Sequence, residues 1–109
     1  MIDVRVYEAE DGSSPFGDWF AAVEASAALR IDDALYRMRQ GNLGDHKSLG
    51  MGLFERRIPY GPGYRIYFGR VGTQIVILVG GGTKKSQRQD IAKAHRHWQD
   101  YKARKRKGD

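Results

Sequence analysis

Five consecutive apolar residues, Ile75-Val76-Ile77-Leu78-Val79, constrain this chain more than any other feature. Strand side chains alternate between two faces, so a run that is apolar at every position belongs at the centre of a sheet. It is far too short to span a membrane, which takes about 20 residues. Upstream, across the tight Val71-Gly72-Thr73 connection, lies "YRIYFGR", and before that, across Tyr60–Gly63, lies "LFERRI". Both alternate in polarity, and the period of two predicts a three-stranded antiparallel meander that ends in the central strand.

The first 41 residues carry other periods. Ile2, Val4 and Val6 alternate with Asp3, Arg5 and Tyr7, as in a half-buried strand. Ser14 stands before Pro15, an N-cap followed by proline at the first helical position. Phe16, Trp19, Phe20 and Val23 then recur at helical spacing. After a break at Glu24–Ser26, Ala28, Ile31, Leu35 and Met38 repeat the stripe, and Gly41-Asn42 ends it. A last helix is predicted from near Ser86, with Ile91, Ala94, His95, Trp98 and Tyr101 on its apolar side. The order is β-α-α-β-β-β-α: class α+β, an antiparallel-rich sheet with the helices packed on one face. Residues 1–101 form one domain, and 102–109, "KARKRKGD", read as a basic, disordered tail.

With Ile58, Ile66 and Phe68 turned toward the helices, Glu55, Arg57, Arg65 and Tyr67 share the open face. A turn centred on Gly61 makes Arg57 the cross-strand partner of Arg65, and Glu55 that of Tyr67. Like charges directly opposed in a sheet cost up to about 1 kcal/mol against an unlike pair. An anion between the two arginines would remove that cost, whereas the blander alternative is an Arg–Glu–Arg surface network. Beyond the central strand comes "GGGTKKSQRQDI", in which three glycines permit close backbone approach and a helix N-terminus favours anions. Lys84, Lys85 and Arg88 add charge there, although the spacing does not match a P-loop.

The net charge of +6 is uneven: residues 1–41 carry −4 and residues 84–107 carry +8, with ten basic side chains against two acidic. A polyanion or an acidic protein is the expected partner, set against the alternative of a solvated helix face. The absence of cysteine excludes disulfides and thiolate metal sites. His46, His95 and His97 are too scattered to suggest a metal, and no cofactor motif is present. The opening "MIDVRVYEAE" has no signal-peptide pattern, so a cytoplasmic location is the expectation.

With these residues in view, the chain resembles the RelE/ParE superfamily of type II toxins, in its HigB-like group of addiction module killer proteins. The similarity runs from "FGDWFAAV" through "GNLGDHKSLGMGLFERRIPYGPGYRIYF" to "ILVGGGTKKSQRQDIAKA". It implies a RelE-like microbial RNase fold and a ribosome-dependent, metal-independent mRNA endoribonuclease. The family's catalytic positions fall here on Arg57, Arg65, Tyr67, Lys84 and Lys85, and its RNA-binding positions on Lys47, Arg56, Tyr64, Gln87 and Arg88. Arg56 stands where the motif is usually apolar, and Gly82-Thr83 replaces an acidic residue after the double glycine. On this resemblance Arg65 grips the scissile phosphate while Tyr67 positions or stacks on a neighbouring nucleotide. The implied partners are mRNA on the ribosome and a helix-turn-helix, HigA-like antitoxin through which operator DNA is bound; no membrane is involved. A ParE-type inhibitor of DNA gyrase, acting without RNA cleavage, is the alternative.

Overall fold

The apolar run does lie inside the sheet. The computed structural model describes residues 1–108, arranged as β1 (Asp3–Val6), α1 (Pro15–Ala22), α2 (Ala25–Arg39), β2 (His46–Gly50), β3 (Leu53–Ile58), β4 (Tyr64–Val71), β5 (Ile75–Thr83), a 3₁₀ turn (Lys84–Ser86) and α3 (Gln87–Gly108). The five strands are ordered β1-β5-β4-β3-β2. β2 to β5 form an antiparallel meander, and β1 adds in parallel beside β5, pairing Asp3–Val6 with Ile75–Leu78. The α+β class is therefore observed, as is the register across the Gly61 turn: Arg57 faces Arg65 and Glu55 faces Tyr67.

One strand is added to the predicted order. His46–Gly50 has no apolar alternation, and its residues are exposed except for half-buried Leu49. Pairing with β3, rather than burial, makes it a strand.

The placement of all helices on one face is corrected. Val76, Leu78, Ile66, Phe68 and Ile58 pack against Ile31, Leu35 and Met38 of α2 and Phe16 of α1. Ile77, Val79, Tyr67 and Leu53 point the other way and pack against Ala94 and Trp98 of α3. The physical reason lies in β5 itself, because a strand apolar on both faces needs cover on both. Each face seats one tryptophan on a strand glycine. A Cβ at Gly81 would overlap the Trp19 ring, and one at Gly69 would overlap the Trp98 ring.

Local signals explain the helix ends. Ser14 accepts a hydrogen bond from the Gly17 N–H (2.9 Å) ahead of Pro15, as expected for a capped start. Gly41 adopts φ +96° just past α2, which a side chain would resist. The basic segment predicted to be disordered continues α3 as far as Gly108, and its last residue, Asp109, lies outside the described residues. Lys102 sits over the Trp98 ring (5.3 Å) and donates to the Met51 carbonyl (3.1 Å), and Arg104 pairs with Asp100 (2.9 Å). Cations in a final helical turn also suit the helix dipole.

Candidate active site

Rows across the sheet place the polar residues. Lys47 of β2, Glu55 of β3, Tyr67 of β4 and Gly80 of β5 form one row, and Arg57, Arg65 and Gly82 form the next. These side chains lie on the face that α3 covers, so the expectation of an open face is corrected. Glu55 and Tyr67 are fully buried (0% exposed) and Arg65 nearly so (9%). The start of α3 closes over them: Gln87 donates from Nε2 to Glu55 Oε1 at 2.8 Å.

Inside this enclosure the hydrogen bonding is incomplete. Arg65 Nε lies 3.6 Å from Glu55 Oε1, an ion pair too long to be a good hydrogen bond, while Arg65 Nη1 donates to the Gly63 carbonyl at 3.2 Å. Glu55 Oε2, Arg65 Nε, Arg57 Nε and Tyr67 Oη are buried without a hydrogen-bonding partner among the described residues. Buried polar atoms are nearly always paired, so four orphans on two adjacent strands mark an unusual site. Burial, and next the Glu55 carboxylate, push the Tyr67 phenol well above the usual tyrosine range, which keeps it protonated. Tyr67 is thus neither a base at neutral pH nor a surface on which a nucleotide can stack.

Arg57 is the accessible member. Its Nη2 meets Asp45 Oδ1 at 2.9 Å, and that hydrogen bond raises the guanidinium's pKa and lowers the carboxylate's. Lys84 adjoins this corner through its backbone N–H, which donates to the Gly63 carbonyl at 2.9 Å, and its side chain is exposed. Lys85 and Arg88, also exposed, line a shallow hollow at the start of α3. Lys47 is exposed one strand outward.

Two RNA-binding expectations fail on position. Tyr64 lies on the opposite face, buried against Trp19 and Tyr60, with ring centroids at 6.5 and 6.4 Å. Arg56 also points to that side and donates to the Leu43 carbonyl at 2.9 Å. Strand alternation explains both, since residues 56 and 64 differ in parity from 57 and 65. Gln87 is in place but engaged by Glu55.

Asp45 was not singled out from the sequence. Its contact with Arg57 spans twelve residues and follows from the β2–β3 register, which also gives the backbone bond from Arg57 N–H to the Asp45 carbonyl (2.8 Å). Glu55 was recognised as a neighbour that offsets charge, but nothing local announced that Gln87 would bond to it.

Among known proteins, one from Haemophilus influenzae described as an uncharacterized protein is 39% identical over 80 residues, covering 72% of this chain and 81% of the relative. The chain belongs to that protein's family. No family model matches it. The Haemophilus relative carries no stated activity, so the chemistry of the site rests on the geometry above.

Proposed function

We propose that the protein is a toxin that cleaves RNA, an mRNA endoribonuclease of RelE/HigB type acting on the ribosome in the cytoplasm and held in check by a helix-turn-helix antitoxin. One observation carries this reading. Arg57 and Arg65 are direct cross-strand partners, and each has a buried Nε without a hydrogen-bonding partner. Two like charges held opposite each other are at their most favourable with an anion between them. A phosphodiester meets that need.

In the reaction the ribose 2′-OH loses its proton to solvent water as its oxygen attacks the adjacent phosphorus. The O2′–P bond forms, the P–O5′ bond breaks, and a 2′,3′-cyclic phosphate and a 5′-hydroxyl result. Negative charge builds on the equatorial oxygens of the phosphorane, where the forked donors of Arg57 and Arg65 stabilise it. Lys84, exposed beside Arg57 and Arg65, supplies the proton to the leaving oxygen. Lys47, Lys85 and Arg88 hold the flanking backbone. Tyr67 acts from beneath, as part of the floor under Arg65.

The test is primer extension on total RNA after expression without antitoxin. New 5′ ends are expected. Arg57→Ala should reduce them about a hundred- to a thousandfold, the usual loss for one transition-state donor, and leave the fold intact. Lysine at this position should restore only part of the activity, since a point charge lacks the fork. A second reading, poisoning of DNA gyrase without RNA cleavage, is favoured by one observation: Tyr67 and Glu55 are sealed beneath α3. A DNA-damage response without new 5′ ends would select it.

A further inference from the structure

The far end of α3 carries a second basic surface of different character. There Val71, Ile75 and Tyr101 floor an open groove of about 510 Å³, whose rim includes Arg5 from β1 and Lys102 and Arg106 from α3. Val71 is 39% exposed and is the cross-strand partner of Ile75, so two aliphatic side chains stand together at the end of the sheet. Among the described residues no Asp or Glu lines the groove. The helix dipole accounts for cations in the last turns of α3, but not for Arg5, which β1 brings to this face as the neighbour of Ile77.

Cations alone would suit a nucleic acid. An aliphatic floor does not, because a sugar-phosphate backbone would leave Val71 and Ile75 uncovered, and such floors with charged rims are typical of protein interfaces. We propose that this groove docks an acidic, amphipathic segment of a partner protein. Its apolar side chains seat on Val71, Ile75 and Tyr101, and its carboxylates meet Arg5, Lys102 and Arg106. β4 runs six residues from Arg65 to Val71, about 20 Å, so the occupant leaves the Arg57–Arg65 corner free. The groove's role does not depend on RNA cleavage.

The probe is a synthetic glutamate-rich peptide of about four helical turns with leucines at helical spacing. Its controls are a peptide of the same composition scrambled to destroy the stripe, and a single-stranded RNA. Binding to the full chain is followed by fluorescence anisotropy and by NMR amide shifts. The striped peptide should bind and shift the amides of residues 71, 75 and 101 while leaving those of 57 and 65 unmoved. Val71→Asp and Arg5→Gln, both at the protein surface, should each weaken binding about tenfold or more while the rest of the spectrum is retained. Four results would overturn the proposal: no binding by the striped peptide, equal binding by the scrambled one, RNA displacing the peptide from these amides, or concentration-dependent shifts there without peptide. The last two would assign the groove to RNA or to a second copy of the chain.

Discussion

The two faces of the sheet are built from the same strands and differ in what they exclude. The buried cluster under α1 and α2 is hydrocarbon and aromatic: Phe16, Ile31, Leu35, Met38, Ile66, Phe68, Val76 and Leu78. Among the described residues, Tyr64 is the only titratable side chain in that buried cluster. The face under α3 interleaves Leu53, Ile77, Val79 and Trp98 with Glu55, Arg65 and Tyr67, and it holds three of the orphaned polar atoms belonging to those last residues. Packing on the first face is close to self-sufficient. On the second, each charged group depends on a particular neighbour, and that dependence is where function and stability trade against each other.

The largest contrast comes from removing one side chain on each face. Phe68→Ala on the α1/α2 face should cost about 3 to 5 kcal/mol in urea unfolding, through lost burial and a cavity. Glu55→Ala should cost about 3 kcal/mol for another reason: it leaves Arg65 buried without a counter-charge and Gln87 without its acceptor. The two mechanisms separate on rescue. Glu55→Leu combined with Arg65→Met removes both charges and should return to within about 1 kcal/mol of the parent, whereas no polar change nearby can restore Phe68→Ala. A double variant no more stable than Glu55→Ala would show that the pair is not what the α3 face depends on.

That expectation reverses what the sequence suggested for Arg65. On an open face its removal would relieve repulsion from Arg57, but beneath α3 it strands Glu55. The register was legible because a tight turn at Gly61 and period-two alternation determine which residues meet. Which face α3 covers was harder to read. Its stripe of Ile91, Ala94 and Trp98 shows that the helix has an apolar side without saying what that side packs on. The decisive hint was in β5, whose five apolar residues demand cover on both faces. The Asp45–Arg57 and Gln87–Glu55 contacts were out of reach, because side-chain partners 12 and 32 residues apart leave no periodic trace. The helical path of Lys102–Gly108 was missed because a run of cations reads as solvated, while Met51, Trp98, Asp100 and Tyr7, which engage Lys102 and Arg104, are scattered through the chain.

A smaller effect is expected at Tyr67, and its sign is informative. The phenol oxygen is buried without a partner, so Tyr67→Phe removes a polar group that makes no bond. Stability should change by less than about 1 kcal/mol, toward stabilisation. Loss of more than that would mean that an ordered water satisfies the hydroxyl, and the α3 face would then be better packed than its orphaned atoms suggest.

The smallest predicted effect separates the faces by pH. His97, on α3, lies beside Tyr7 with ring centroids 5.3 Å apart, and Tyr7 in turn donates to Asp100 at 2.6 Å. Burial, aided by the positive charges of Arg96 and Lys93 and opposed by Asp100, lowers the imidazole below its ordinary 6.5. The folded protein therefore disfavours the protonated ring, and the unfolded chain binds the extra proton. Stability is full above 6.5 and is lost as the pH falls from there through the lower folded value. Because the ring is only partly buried, solvent screening keeps the loss below about 0.5 kcal/mol. Guanidinium midpoints measured at about pH 7.5 and about pH 5.5 should fall slightly for the parent and less for His97→Gln. An equal fall in both would assign the acid sensitivity to other groups. It would still belong to the α3 side if Glu55→Leu combined with Arg65→Met removed it, because the buried cluster under α1 and α2 contains no histidine or carboxylate to protonate.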